Sequence, residues 1–300
     1  MKSFLLKILV FSALFFILEK PAWLLLDSAP ERQYDKRLEA LLNGKVNKDL
    51  IVLGSSRGAG NILAGQIEKE TGLSSYNLSY QGSNVSFHQF ILETLIEFNK
   101  TPKKVILTID NPTYLKSDNS VRFRVDALQP LTKYNYINSK LIKEKANNPL
   151  SNFFYLSRLN SSHFRFKTNK APSMNPLDSF GTMPLIKKNN IDLVYKIKLA
   201  EYNSKEEKES KLNAFRNIQN LCSENNIELI YVFSPDFRPF NLSFFNRFKK
   251  LVNKKEKLII YDSLNSVYKN EKYFYDYAHL LQNGAEIFTS EISTFINQNK

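Results

Sequence analysis

Short apolar runs separated by amphipathic helical segments recur along most of this chain, and they restrict its fold more than any other feature. Five runs have the length of strands, and they occupy residues 50–53, 76–79, 105–109, 228–233 and 258–261; all but 76–79 are rich in Ile, Leu and Val. Runs that are apolar throughout, rather than alternating, are typical of parallel strands covered on both faces. The sequence therefore predicts an α/β fold in which an open, parallel, five-stranded sheet is the middle of three layers.

A basic and aromatic stretch interrupts this alternation between residues 112 and 190, and we interpret it as an insertion or lid of short helices and loops. Within it, residues 121–170 contain ten Lys or Arg residues against Asp126 and Glu144. Such a patch attracts anionic partners. Because the sequence carries no nucleic-acid-binding motif, we expect phospholipid head groups or acidic glycans and no nucleic acid. The aromatic residues of the stretch are predicted to form a small satellite core, with a substrate surface as the alternative; they are Phe123, Tyr134, Tyr136, Phe153, Phe154, Tyr155, Phe164 and Phe166.

The first 27 residues are mostly apolar and are predicted to be a membrane anchor, which leaves residues 28–300 for the α/β domain. The stretch from Phe4 to Leu26 is long enough to cross a bilayer as one helix, although Glu19 and Lys20 interrupt it. No small-x-small cleavage site follows the apolar run, so we expect the anchor to stay uncleaved. A cleaved signal peptide and a helix lying in the membrane interface are the alternatives.

The charges around the apolar run predict its orientation. Lys2 and Lys7 lie at its start, and basic residues beside a membrane helix favour the cytoplasmic side. We therefore expect a single-pass membrane protein whose N-terminus is cytoplasmic and whose residues 31–300 are extracytoplasmic.

Two polar clusters lie where an open α/β sheet places its functional sites. Ser55 and Ser56 follow the first strand at the point where a helix begins, so a serine there is held exposed beside helix-starting amides. Asp276 and His279 lie in a loop just before the last helix, which we predict to be capped by Asn283 together with Glu286. A serine hydroxyl needs a base, and a histidine oriented by a carboxylate supplies one.

The remaining Cys and His residues leave little room for other chemistry. A single cysteine, Cys222, excludes an intrachain disulfide and falls on the apolar face of a predicted helix, where we expect a small buried side chain. His88 is interpreted as a structural histidine on a helix face. Because the sequence has no Cys/His cluster of the metal-binding type, we expect neither a metal nor a cofactor.

These clusters together resemble the conserved blocks of SGNH/GDSL hydrolases. Gly54-Ser55-Ser56 is similar to the Gly-Asp-Ser block, the segment from Asn77 to Gly82 is similar to the second block, and Asp276-x-x-His279 matches the closing Asp-x-x-His. The resemblance implies a flavodoxin-like three-layer sheet with Ser56 as nucleophile, His279 as base and Asp276 as its partner. It also implies that the amides of Ser56 and Gly82 serve an oxyanion hole.

The chain departs from this family at two blocks. Ser55 replaces the aspartate of the first block, and the Gly-x-Asn-Asp block is represented only by Ile109-Asp110-Asn111, which makes Asn111 the candidate third oxyanion donor. With an N-terminal anchor, this pattern looks like the membrane-tethered relatives, which include the D-alanyl-transfer protein of lipoteichoic acid synthesis and exopolysaccharide acyltransferases. That likeness implies serine-dependent acyl transfer or ester hydrolysis on an acylated envelope polymer or glycan, beside a multispanning membrane acyltransferase.

Two other functions compete with this expectation. A non-catalytic envelope or glycan-binding protein would keep the fold with an incomplete oxyanion hole. The glycine pattern that starts at Gly54 also resembles the cofactor turn of NAD(P)-dependent short-chain dehydrogenases, and Tyr136 and Lys140 have the spacing of their Tyr-x-x-x-Lys pair. Against this alternative, Tyr136 follows Gly54 too closely for that family's order of strands, and no residue after the second strand selects a ribose.

Overall fold

The computed structural model describes residues 2–188, 192–195, 201–253 and 256–299. The chain forms two compact units. The first unit combines residues 1–39 with residues 124–171, and the second combines residues 40–123 with residues 172–300. All residues of the predicted catalytic site belong to the second unit.

The second unit is built on a parallel sheet of five strands. The strands are β1 (Leu50–Leu53), β2 (Ser75–Asn77), β3 (Lys104–Ile109), β4 (Glu228–Phe233) and β5 (Lys257–Ile260). Their order across the sheet is β2-β1-β3-β4-β5, and every neighbouring pair is parallel. The predicted α/β fold with a five-stranded parallel sheet is therefore confirmed. The predicted bounds of β1 and β4 match the observed ones, and those of the other three strands differ by one or two residues.

Helices cover this sheet on both faces. Those of the second unit are α3 (Ser56–Asn61), α4 (Ala64–Thr71), α5 (Val85–Phe98), α8 (Glu209–Glu224), α9 (Leu242–Lys249) and α10 (Gln282–Gln298), and α2 (Arg37–Leu42) crosses the boundary between the units. Ile230 and Val232 of β4 share an apolar cluster with α4 and α10. The alternate residue Tyr231 packs against Phe215 of α8 and Phe248 of α9. Since successive side chains of a strand point to opposite faces, the sheet is the middle of three layers.

Two of the sequence-based structural assignments in this unit are confirmed. Cys222 lies on α8 and is 1% exposed, so it is a small buried side chain. His88 lies on α5, is buried, and has its Nε2 atom 2.9 Å from the Ser83 hydroxyl. Its ring therefore has a structural partner inside the core.

The last helix begins differently from the prediction. Helix α10 starts at Gln282, with Leu281 at the N-cap position and no side-chain cap. The predicted cap by Asn283 is wrong, because Asn283 already lies inside the first turn and its side chain accepts only from the next amide, that of Gly284. The helix entry is instead held by backbone bonds: Leu281 donates to Tyr273, and Gln282 donates to Leu185.

The first unit contains a long N-terminal helix, α1 (Lys2–Ser28), together with α6 (Val125–Leu128) and α7 (Asn135–Lys143). Short 3-10 helices connect and follow these elements at Pro30–Arg32, Gln129–Leu131, Pro149–Asn152 and Leu156–Arg158. Helix α1 is long and apolar enough to cross a membrane. Its apolar side chains from Phe4 to Leu18 are mostly exposed, whereas Ala22 and Leu26 are buried.

The predicted satellite core of aromatic residues is wrong. None of the eight aromatic residues is buried, and Phe153, Phe164 and Phe166 are 79%, 54% and 68% exposed. Phe123 lies in the second unit, where it packs on Phe87 and Phe90, and Tyr134 and Tyr136 lie at the start of α7. The other five are in 3-10 turns and loops of the first unit, where they form a largely exposed apolar surface.

Candidate active site

The turn that carries Ser56 is shaped by close packing between neighbouring strands. Strand β1 ends at Leu53, and Ser55 is the N-cap of α3, with its side chain accepting from the amide of Arg57. A Cβ atom on Gly54 would lie 1.8 Å from the Thr108 hydroxyl of β3, so only glycine fits at this position. Ser56 is therefore held as the first residue of a helix at the carboxyl end of the sheet, where open α/β folds form their sites.

The loop that carries His279 is organised around the Asp276 carboxylate. Its Oδ1 atom accepts from the amides of Ala278 and His279 at 2.8 and 2.9 Å. The same carboxylate lies 2.8 and 2.9 Å from Nδ1 of the His279 ring. Burial alone would raise the pKa of Asp276, but these hydrogen bonds and the nearby imidazole outweigh it and lower that pKa below its usual value. Asp276 is thus ionised and fixed against the ring.

The structure brings Ser56, His279 and Asp276 together, although Ser56 lies in a distant part of the sequence. The Nε2 atom of His279 is 2.7 Å from the Ser56 hydroxyl. With Asp276 holding a proton on Nδ1, Nε2 is left as an acceptor for the Ser56 proton. The three residues form a continuous hydrogen-bonded chain from hydroxyl to carboxylate, which is the arrangement that activates a serine.

Helix α3 also fixes the His279 loop. The guanidinium Nε of Arg57 donates to the carbonyl of Ala278 at 3.0 Å. The side-chain oxygen of Asn61 accepts from the amide of Leu280 at 3.0 Å, and its nitrogen donates to Ser234 at 2.7 Å. One short helix therefore presents the hydroxyl at its start and holds the base at its far end.

A buried ion pair supports the Arg57 contact. Arg57 is 4% exposed and donates to Asp236 at 2.5 Å. Arg238 makes two further bonds to the same carboxylate, at 2.6 and 2.8 Å. Removing one partner of a buried, hydrogen-bonded ion pair strongly destabilises a protein. Asp236 therefore holds Arg57 in place, and Arg57 in turn contacts the His279 loop.

The second serine of the turn has a partner of its own. The Ser55 hydroxyl donates to the carboxylate of Asp110 at 2.8 Å, and both residues are buried. Burial raises the pKa of Asp110, against the opposing effects of Arg57 and of the Ser55 hydrogen bond. Ser55 is therefore occupied as a structural hydroxyl, whereas Ser56 faces the base.

The predicted oxyanion donors lie in two places. A cleft of about 260 Å³ is lined by Ser56, His279 and Asn111, among others. The side-chain oxygen of Asn111 is buried and has no hydrogen-bond partner among the described residues. Gly82 does not line the cleft; it has φ of +66° and its carbonyl accepts from Arg122. Within the described chain, neither the Ser56 nor the Gly82 amide has an acceptor.

Residues of the competing predictions lie elsewhere. Tyr136 and Lys140 are on α7 of the first unit, whereas the glycine turn belongs to the second. Lys140 forms an ion pair with Glu144 at 3.1 Å. The glycine pattern after β1 has a packing explanation at Gly54, and Gly58 likewise lies against Ser79 and Thr108.

Four residues of the site were not predicted in their present roles: Arg57, Asn61, Asp110 and Asp236. Each is polar or charged and is buried or close to buried. The one available signal was position, because Arg57 and Asn61 follow the serine turn and Asp110 follows the third strand. Nothing in the sequence indicates that Asp236 is their partner.

Comparison with known proteins adds no family to this description, since no protein-family model matches the chain and no curated protein matches its sequence.

Proposed function

We propose that the protein is a serine-dependent acyltransferase or esterase that works through an acyl-Ser56 intermediate. The single observation that supports this most strongly is the 2.7 Å contact of the Ser56 hydroxyl with His279, whose other ring nitrogen lies 2.8 Å from Asp276. The SGNH-like resemblance of the surrounding blocks agrees with it.

The reaction proceeds in two half-reactions. Ser56 Oγ attacks the acyl carbonyl while its proton passes to Nε2 of His279, and the resulting tetrahedral oxyanion collapses when the leaving alcohol takes that proton. His279 then removes a proton from water or from an acceptor hydroxyl, which attacks the acyl-Ser56 ester. The second tetrahedral oxyanion collapses as His279 returns the proton to Ser56 Oγ, which releases the acyl product and restores the enzyme. Asp276 holds the ring in the required tautomer and stabilises the imidazolium in both steps.

The oxyanion is assigned to the Ser56 amide, the Gly82 amide and the Asn111 side chain. Each missing donor in such a site costs roughly 10²–10³ in rate. Because Gly82 does not line the cleft that contains Ser56 and His279, we expect slow hydrolysis of simple esters. Slow hydrolysis suits a transferase, in which water must not compete with the acceptor.

The substrate is proposed to be an acylated polymer or glycan of the cell envelope. Helix α1 supports a membrane location, and Lys2 and Lys7 favour an extracytoplasmic site on a single-pass protein. The excess of basic residues at 121–170 fits an anionic envelope surface. A multispanning membrane acyltransferase is the proposed protein partner, and no cofactor or metal is required by this chemistry.

A fluorophosphonate probe tests the nucleophile directly, because it phosphonylates an activated serine. We expect the full-length protein to be labelled, and Ser56→Ala and His279→Ala each to lose labelling while keeping their circular dichroism spectra. Ser55→Ala is the matched control, since it removes the adjacent hydroxyl but not the contact with His279.

The alternatives give different patterns. Labelling that persists in Ser56→Ala and disappears in Ser55→Ala would move the nucleophile by one residue. An unlabelled wild-type protein that still binds envelope glycan would favour the non-catalytic binding protein. An unlabelled protein that binds NAD(P) would favour the dehydrogenase.

A further inference from the structure

The first unit covers α1 mainly over the C-terminal part of the helix, from Glu19 to Ser28, which we call its outer end. Most apolar residues from Phe4 to Leu18 are exposed, with Phe11 and Phe16 each 71% exposed, whereas Phe15 is partly covered by Phe154. From Glu19 onward one face of the helix meets other parts of the first unit and buries Ala22 and Leu26, while Leu24 on another face is 63% exposed. The free part is the natural candidate for the hydrocarbon of a membrane.

The segment that covers the outer end of α1 is the aromatic stretch from 150 to 166. Phe154 stacks edge-on against Phe15 at 5.1 Å between ring centroids, and Tyr155 lies 5.0 Å from Trp23. The Glu19 carboxylate accepts from the amides of Tyr155 and Leu156 at 2.8 and 3.3 Å. The acidic residue that interrupts the apolar run is therefore satisfied by this segment.

Further contacts hold the outer end of the helix in place. Asp27 pairs with Lys133 at 3.2 Å. Beyond the helix, Arg32 donates to the carbonyl of His163 at 2.9 Å and lies 5.6 Å from the centre of the Phe166 ring. Residues 150–166 and the outer end of α1 thus pack together within the first unit.

The part of α1 that precedes the charged residue Glu19 is too short to cross a bilayer alone. Phe4 to Leu18 measures about 21 Å at 1.5 Å per residue, whereas the hydrocarbon core is about 30 Å thick. The missing length is about 9 Å. Interfacial protein segments insert their apolar faces by about 5–10 Å, so immersing the segment beside Glu19 would make up the difference.

The exposed residues of the segment have the composition that such immersion needs. Leu150, Phe153, Phe164 and Phe166 are 53–79% exposed. Exposed basic side chains flank them at Lys143, Lys145, Arg165, Lys167 and Lys170. Aromatic residues concentrate at the lipid–water interface, and Lys and Arg near the surface bind anionic lipid head groups.

We infer that residues 150–166 form a second membrane contact, in which Phe153, Phe164 and Phe166 enter the outer leaflet beside α1 while the flanking basic residues bind anionic phospholipid head groups. The inference rests on the proposed membrane insertion of α1 and does not depend on the chemistry at Ser56. The membrane anchor then consists of α1 together with residues 150–166, which we call the collar.

Site-specific fluorescence in nanodiscs tests this with the full-length protein. An environment-sensitive fluorophore is attached to Phe153→Cys, Phe166→Cys or, as a control on the same unit, the exposed Ser139→Cys of α7. Cys222 is buried, and burial raises the pKa of its thiol to about 12, so it does not compete for the label. Brominated phosphatidylcholine serves as the quencher.

We expect blue-shifted, bromolipid-quenched emission at positions 153 and 166, and water-like, unquenched emission at position 139. Adding phosphatidylglycerol should increase quenching at 153, and exchanging Lys143, Arg165, Lys167 and Lys170 for Gln should remove that increase. Water-like emission at both 153 and 166 would overturn the inference. The same reporter at Phe11→Cys separates the two ways of failing: quenching there with none at 153 and 166 rejects the collar alone, and no quenching there rejects the anchor and the collar together.

Discussion

Ser55 donates its hydroxyl proton to the buried carboxylate of Asp110 at 2.8 Å, whereas the next residue, Ser56, lies 2.7 Å from the His279 ring. Two adjacent serines thus have separate partners. The hydroxyl that is free to meet a substrate is the one beside the base. This difference in partners explains how one serine of a Gly-Ser-Ser turn can be the proposed nucleophile while the other has a structural role.

Replacing Ser55 by Ala should cost stability and spare the nucleophile. The change leaves the buried Asp110 carboxylate without its hydroxyl donor, a loss typically worth about 1–3 kcal/mol. We expect chemical denaturation in mild detergent to show this decrease in the free energy of unfolding, while probe labelling of Ser56 persists. An unchanged stability would contradict the structural role assigned to Ser55.

Replacing Asp276 by Asn should slow the reaction without abolishing it. The amide cannot stabilise the imidazolium and can present a donor to Nδ1, which favours the wrong tautomer. In serine proteases the comparable change costs on the order of 10⁴ in rate, against about 10⁶ for loss of the serine or histidine. The rate of fluorophosphonate labelling measures this, with Asp262→Asn, an exposed acid on the same unit, as the control. Equal losses for Asp276→Asn and His279→Ala would contradict the ranking.

Replacing Asn111 by Ala should lower kcat with little change in KM. If its side chain serves the oxyanion, the loss is roughly 10²–10³ in rate. Hydrolysis of p-nitrophenyl acetate measures it, and Ser120→Ala is the matched control because Ser120 also lines the cleft but is exposed. A wild-type rate in Asn111→Ala would remove Asn111 from the oxyanion hole.

Acid should destabilise the protein partly through His88. Burial, with a smaller effect from Lys211, lowers the pKa of His88 from 6.5 to about 3. Between these values the unfolded state binds the proton and the folded state does not, so the free energy of unfolding falls as pH falls from 6.5 towards 3. At pH 4.5 this effect of His88 lowers the free energy of unfolding by about 3 kcal/mol.

His88→Gln should reduce this acid sensitivity, because glutamine keeps a polar partner for Ser83 and carries no titrating proton. Asp110, whose pKa is raised by burial, acts with the opposite sign and is present in both proteins, so their comparison isolates His88. Thermal unfolding between pH 4 and 7, followed by circular dichroism, measures the effect. Parallel curves for the two proteins would contradict it.

The fold and the candidate residues Ser56, Asp276 and His279 could be predicted because the sequence patterns that indicate them are local. A buried parallel strand is apolar throughout, and Asp276 and His279 are three residues apart in one loop. Ser56 follows a strand end, where α/β sheets place their sites. Each of these statements needs only a short window of sequence.

The supporting contacts could not be predicted because they join distant segments. Arg57 meets Asp236 and Asn61 meets Leu280 across more than half the chain, and no local pattern says which buried charges will pair. The predicted burial of the aromatic residues was wrong for another reason. Composition shows that Phe153 and Phe166 are apolar, but only the packing shows that no second layer covers them.

The topology of the anchor gives the last prediction. Lys2 and Lys7 should hold the N-terminus in the cytoplasm, and the free apolar part of α1 should remain uncleaved, which leaves residues 31–300 outside. Protease added to intact spheroplasts should then degrade both units, while a cytoplasmic marker protein stays intact. Lys2→Gln with Lys7→Gln should give a mixed population in which part of the protein is protected, because the bias that sets orientation is removed. Complete protection of the wild-type protein would reverse the orientation, and a mature N-terminus near Ser28 would show a cleaved signal peptide in place of an anchor.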